Sequence, residues 1–319
     1  MAARKTTTRK PAKRDVEAEV TARIVEALEA GTVPWRKPWT AAGLLPTSVA
    51  TGKPYRGINP LLLWLTAERE GYTSPFWLTY KQATERGGQV RKGEKGTGIV
   101  FWRRWEVEDK ETGEAKSVFI LRFFTVFNVE QVDDLVLPPR FTVPDIADIE
   151  FDIADAEAIW SGYVDGPQLD HKVTDTAAYS PDLDVIRLPK QGQFESAEAY
   201  YGTLFHESVH STGHKDRLNR FEKNGEPQHF GTERYAKEEL VAEMGAAMLR
   251  SMAGIATDDS TEQTAAYVKS WLEALKNDKA LVIKAAAQAQ RAVDRIVGTA
   301  FEVEADNDTA EQAENGEAA

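Results

Sequence analysis

His206, Glu207 and His210 form the pattern H-E-x-x-H within the stretch TLFHESVHSTGH, residues 203–214. Residues four apart share one face of an α-helix, so both imidazoles can aim at a single ion. Glu207, one position along, can then hold a water on that ion. Zinc lowers the pKa of such a water toward ~7, so a glutamate suffices as general base at neutral pH. The bland alternative is a helix carrying two satisfied histidines. Tyr200, Tyr201, Leu204, Phe205 and Val209 supply an apolar helix face, and Gly213 is a natural stop.

A catalytic zinc needs a third protein ligand and one open position. His214 stands four residues past His210, but Gly213 breaks the helix before it, and the longer H-E-x-x-H-x-x-G-x-x-H spacing is absent. His229 lies in the loop NGEPQHFG and could fold back. The stretch YAKEELVAEMGAAML, residues 235–249, offers Glu239 and Glu243 on one helix face, with Ala242, Ala246 and Ala247 keeping that side slim. A second helix presenting Glu is a common third-ligand arrangement. Glu239 is therefore expected as the ligand. Glu243 is expected to accept a histidine N–H, or to be the ligand in its place. The other reading of both is solvent-facing residues of an ordinary amphipathic helix. Tyr179 is a candidate oxyanion donor, or a residue packed at a turn.

These residues need elements to position them. The apolar spacing of Val16, Val20, Ile24, Val25 and Leu28 predicts a helix over 15–29 capped by Asp15. A second helix is expected from Asn59-Pro60 through Arg69, and a third across SPFWLTYKQATERG. Ile99–Val107 and Val118–Val129 read as the arms of a β-hairpin. Leu137-Pro138-Pro139-Arg140 marks a boundary. Beyond it the pattern predicts a helix over 153–163, two short strands turning at Ser180-Pro181-Asp182, the histidine helix over 197–211, a helix over 236–252, and a final pair over 261–277 and 279–297.

Across its 319 residues the chain carries a formal charge of −12 and no cysteine. The absence of cysteine rules out disulfides and thiolate metal sites and agrees with a reducing cytoplasm. No apolar run reaches the ~20 residues that span a bilayer. The charge is unevenly spread. Residues 1–14 hold six Lys/Arg and no acid, and 301–319 hold seven acids and no base. From Gly31 to Trp105 there are twelve Lys/Arg against four Glu, together with six of the eight tryptophans. Cations that track phosphates and aromatic faces that stack bases are the combination that holds single-stranded nucleic acid. The candidates are Trp35, Arg36, Lys37, Trp39, Lys53, Tyr55, Arg56, Lys81, Arg91, Lys92 and Lys95. For Trp35, Trp39 and Tyr55, core packing is an equal reading. Trp64 and Trp77, on apolar helix faces, read as core.

With both halves considered, the chain resembles the ArdC-type antirestriction proteins of conjugative plasmids and related mobile elements. The resemblance rests on ALEAGTVPWRKPW, TGKPYRGINPLLLW, FWLTYKQATERGGQVRKGEKGTGIVFW and FFTVFNVEQ in the first half. In the second it rests on YSPDLDVIRLPKQGQFESAEAYYGTLFHESVHSTGHKDRLNR and YAKEELVAEMGAAML. It implies a single-stranded-DNA-binding domain, a zincin-like metallopeptidase domain, and protection of incoming DNA from host restriction. The first domain is also similar to one at the N-terminus of some plasmid primases.

The combined expectation is an α+β protein of two domains. A mixed α/β DNA-binding domain covers 15–140 and a metallopeptidase domain with an H-E-x-x-H active-site helix covers 146–298. A disordered basic arm (1–14) and acidic tail (299–319) flank them. The expected cofactor is one Zn²⁺ per chain. Expected partners are single-stranded DNA and an unidentified, DNA-associated protein substrate, with no membrane, in the cytoplasm. The alternatives are a DNA-binding shield whose zinc site is structural, and a DNA–protein crosslink protease of repair.

Overall fold

The computed structural model describes residues 14–35, 44–108, 115–142, 152–172, 176–221, 232–255 and 264–299. The first helix, α1 (Val16–Glu29), is capped by the Asp15 carboxylate, which accepts from the Ala18 N–H at 3.1 Å. Its Val20, Ile24 and Leu28 are buried, as their spacing requires. Strand β1 (Thr47–Ser48) precedes α2 (Asn59–Glu70). Asn59, a residue type suited to capping, stands in the first turn of α2 but does other work. Its amide exchanges two 2.8 Å hydrogen bonds with the Val100 backbone, and the helix has no side-chain cap. Gly71, at φ 77°, closes α2 in the left-handed conformation.

The expected third helix divides in two. Phe76–Leu78 is strand β2, fully buried, and only Tyr80–Glu85 is helical (α3), entered through a capping box between Thr79 and Gln82. A three-residue apolar run beside a cap fits a central strand as well as a helix, so periodicity could not separate them. After β3 (Gln89–Val90) the hairpin β4 (Thr97–Glu108) and β5 (Ala115–Asn128) forms as expected. The sheet order is β1-β2-β5-β4, and β6 (Val132–Asp133) pairs with β3 apart from it.

In the second half, α4 (Ile153–Ser161) leads to a three-stranded sheet of order β7-β9-β8, from β7 (Gln168–Lys172), β8 (Ala178–Ser180) and β9 (Val185–Pro189). The helices follow as α5 (Ala197–Ser211), α6 (Glu233–Met252), α7 (Thr264–Asn277) and α8 (Leu281–Val297). Strand β8 is an edge and lies over α5. Among the described residues no helix is long and apolar enough to cross a membrane.

One hydrophobic core joins the halves. It runs from Val20, Ile24 and Leu28 of α1 through Leu61 and Leu62 of α2 to Leu204 and Phe205 of α5 and Val282 and Ala286 of α8. Polar contacts reinforce the junction. Thr21 donates to the Lys279 carbonyl at 2.6 Å, and Arg56 pairs with the buried Asp294 at 2.5 Å.

Candidate metal centre

Helix α5 is a rigid platform. The Ser196 hydroxyl caps it by accepting from the Ala199 N–H, and Leu204, Phe205 and Val209 are completely buried. That fixes the opposite face, which carries His206 and His210. Helix α6 can lie close across it because its contact side is small. Ala242, Ala246 and Ala247 are buried there, and a Cβ on Gly245 would sit 2.8 Å from a methyl group of Val209.

Three ligand atoms converge between the helices. His206 Nε2 and His210 Nε2 are 3.1 Å apart. The Glu239 carboxylate reaches His206 Nε2 at 3.5 Å and His210 Nε2 at 3.3 Å. Those two distances end on different carboxylate oxygens, Oε2 and Oε1, and one ligand atom from each of the three residues lies within 4.8 Å of the other two, a grouping that could hold one metal ion. Among the described residues this is the group of three such side chains that could hold one. Two imidazole lone pairs this close also repel unless a proton or cation lies between them. Burial opposes a charged His210, but the Glu238 and Glu239 carboxylates prevail and hold its pKa up at about 10. Burial alone would raise Glu239. Hydrogen bonds and charge from His206 and His210 outweigh it and hold the carboxyl below the usual carboxylate range.

Each histidine turns its other nitrogen to a carboxylate. His210 Nδ1 meets Glu238 Oε1 at 3.4 Å, and His206 Nδ1 lies 3.8 Å from Glu243 Oε1. Such partners favour the Nδ1–H tautomer and leave Nε2 free to bind metal. Glu243 thus stands behind His206 rather than in the ligand triangle. Glu238 was missed in the sequence. It is anchored by Arg220, whose guanidinium donates to both its oxygens at 2.7 and 3.1 Å and also to the Val209 carbonyl at 2.8 Å. Adjacent glutamates at 238 and 239 face the same neighbour helix, and that doublet was the only local signal.

Glu207 is buried beside the cluster, and its Oε2 accepts the Tyr179 backbone N–H at 2.7 Å. Strand β8 therefore holds Glu207 through its main chain. The Tyr179 hydroxyl does not stand free for an oxyanion. It donates to Asp184 at 2.7 Å and accepts from Arg217 at 3.0 Å. Burial and the Asp184 bond push its pKa up, so its proton stays where it is. Arg217, almost fully buried, also pairs with Asp184 and donates to the Asp165 carbonyl. His214 turns away from the cluster, its Nδ1 accepting from the Asp216 N–H. His229 lies outside the described residues.

A family model for the N-terminal domain of anti-restriction factor ArdC matches residues 14–127, and a zincin-like metallopeptidase model matches 156–288. The metal-free crystal structure of antirestriction ArdC protein from the R388 plasmid is 42% identical, with a TM-score of 0.74, covering 95% of this chain and 99% of that one. Its Mn(II)-bound counterpart is 40% identical, with a TM-score of 0.73, covering 91% of this chain and 100% of that one. The chain belongs to the ArdC antirestriction family. The uncharacterized protein y4eC of Sinorhizobium fredii is 35% identical over 88% of this chain and 91% of its own length. A DNA primase TraC of Escherichia coli is 38% identical over 91% of this chain, and the match spans only 27% of the primase.

The aromatic half of this ArdC relative is arranged differently from the sequence expectation. Trp35 is fully buried, its ring edge-on to Trp271 at 5.2 Å, so no base can stack on it. Tyr55 is buried too, and burial drives its hydroxyl pKa up. Both apolar rings found a long-range partner that their cationic neighbours in sequence do not reveal. Trp64 and Trp77 are core. Arg36, Lys37 and Trp39 lie outside the described residues. Arg56 is half-exposed and paired with Asp294. Lys53 is exposed, Lys81 lies 3.9 Å from Glu85, and Arg91 is bound by Glu94 and Asp133. Lys92 and Lys95 are exposed on the turn after β3. Tyr80, which the sequence reading passed over, is 51% exposed, and its hydroxyl accepts from Gln89 at 3.0 Å beside that turn.

Proposed function

We propose that this chain protects incoming DNA from restriction by binding single-stranded DNA with its first half and hydrolysing a DNA-associated protein with its second. The convergence of His206 Nε2, His210 Nε2 and the Glu239 carboxylate within 3.1–3.5 Å, beside Glu207, carries the reading. These three residues would hold one Zn²⁺. When bound, such an ion acidifies water and polarises a carbonyl. Glu207 is the proton acceptor. Its Oε2 is occupied by the Tyr179 N–H, which leaves Oε1 as the atom that receives the proton and hands it to the departing amine. Glu238 and Glu243 orient the two imidazoles. For DNA, the exposed Tyr80 with Lys92 and Lys95 gives an aromatic face beside cations, which suits a single strand in the cytoplasm.

A structural site is closed by four protein ligands. Among the described residues the cluster is His206, His210 and Glu239 without His214, whose Nδ1 accepts from the Asp216 N–H, and this favours the hydrolytic reading over a structural zinc. The test is cleavage of a protein bound to single-stranded DNA by the zinc-loaded chain, with Glu207→Gln as control. Cleavage by the parent alone supports the proposal. Restriction protection in cells that is equally strong with Glu207→Gln would separate protection from proteolysis.

A further inference from the structure

A cavity of about 290 Å³ lies between α1 and the β4–β5 hairpin, lined by Arg14, Glu19, Arg23, Gly98 and Phe123 among others. Its charge is unbalanced. Arg14 closes on Glu19 at 2.6 Å, so those two cancel. Arg23 has no carboxylate on it among the described residues. Among the described residues its guanidinium donates to neutral acceptors, the Gly98 and Leu62 carbonyls at 3.3 and 3.4 Å and the Thr66 hydroxyl at 3.0 Å. Those three bonds leave Nε–H and one Nη1–H of its five donors unspent. Burial, then the Arg69 charge, lower its pKa, and the Glu26 charge on the same helix only partly offsets them.

The aromatic wall is built for access. The tip of the Phe123 ring reaches Gly98, where a Cβ would come within 1.8 Å of its Cζ. The Arg14 guanidinium lies over the ring, 3.5 Å from its centroid. Arg14 is itself half-exposed, so it can leave without breaking the core. Stacking of a base on an aromatic face exceeds an exposed cation–π contact.

We propose that this cavity is a nucleotide subsite, in which Arg23 binds a phosphate and a single unpaired base replaces Arg14 on Phe123. The proposal rests on the DNA-binding reading above and gives it a reason for strand preference. The cavity volume, at the lower end for small-molecule sites, admits one nucleotide unit, whereas a duplex keeps its bases paired and stacked.

The test uses the full chain and a labelled oligothymidylate strand, with anisotropy read across a salt series. Phe123→Leu is expected to weaken binding about tenfold at an unchanged salt slope. Arg23→Gln should weaken it and reduce the slope by about one, as loss of one phosphate contact does. Thermal melting checks that both variants fold. A strand carrying iododeoxyuridine, photocrosslinked to the parent protein, should label Phe123 whatever the variants do. Thymidine monophosphate should compete weakly in the parent and not in Phe123→Leu. A parent chain that binds no strand sinks the DNA-binding reading itself. A parent that binds, but crosslinks only within 80–95 and tolerates both substitutions, leaves that reading standing and overturns the subsite. Saturable mononucleotide binding at Phe123, with the strand crosslinking elsewhere, overturns the assignment to a strand.

Discussion

On the proposed function, two carboxylates, Glu207 and Glu238, would carry separable duties at the metal centre. Glu207→Gln keeps shape and the Tyr179 N–H contact but cannot accept a proton. Peptide hydrolysis should fall by about 10²–10⁴-fold while the protein still takes up one equivalent of metal. Glu238→Ala should show the reverse emphasis. It removes the Nδ1 partner of His210 and leaves Arg220 unpaired, so metal affinity should drop about 10–100-fold in a calorimetric titration. Away from the metal, Asp184 reports on pH. Burial would raise its pKa, but the Arg217 and Tyr179 hydrogen bonds win and lower it. A depressed folded pKa means that its stabilisation is present above the ordinary aspartate value and is lost as pH falls through the folded one. Asp184 sits at φ 50°, a conformation Asn also tolerates. Asp184→Asn should therefore cost about 1–3 kcal/mol at pH 7 through loss of the charged pair, and the gap to the parent in urea unfolding should narrow below pH ~4.

Among the elements, the approach of α6 to α5 decides whether the ligands meet. Gly245 against Val209 is one close point of that crossing, where an added Cβ would meet a methyl group at 2.8 Å. Gly245→Val should push the helices apart, cost about 1–3 kcal/mol by overpacking, and weaken metal binding although no ligand is altered. Parallel denaturant and metal titrations would check this. The helices were legible from the chain because their apolar residues recur on one face, and Glu239 and Glu243 four apart pointed to α6 as the partner of α5. Strand β7 was not legible. Apart from Leu169 its residues Gln168–Lys172 are polar, so no alternation of apolar residues marks them, and pairing with β9 makes them a strand. Glu238 escaped for a related reason: its meaning comes from Arg220 and His210, which fold against it from other segments.

For the whole molecule, the shared core matters most. Composition separates a basic first half from an acidic second, yet α1 packs on α7 and α8, and Trp35 meets Trp271. Prolines and cations around Trp35 leave base stacking and core packing as equal readings in the sequence, and the structure shows core packing. A contact so distant in sequence leaves no local trace. Trp35→Ala should cost about 3–5 kcal/mol and lower the stability of both halves together, visible as one shared shift in tryptophan fluorescence and metal release on heating. On the function proposed above, such coupling would let a strand held by the first half bear on the candidate metal site in the second. The most direct test is to load the chain with zinc, bind it to single-stranded DNA carrying a bound protein, and follow that protein by mass spectrometry. The expected result is cleavage by the parent and none by Glu207→Gln, with one metal ion in each. Equal cleavage by both, or none by the metal-loaded parent, would contradict a hydrolytic site at His206, His210 and Glu239.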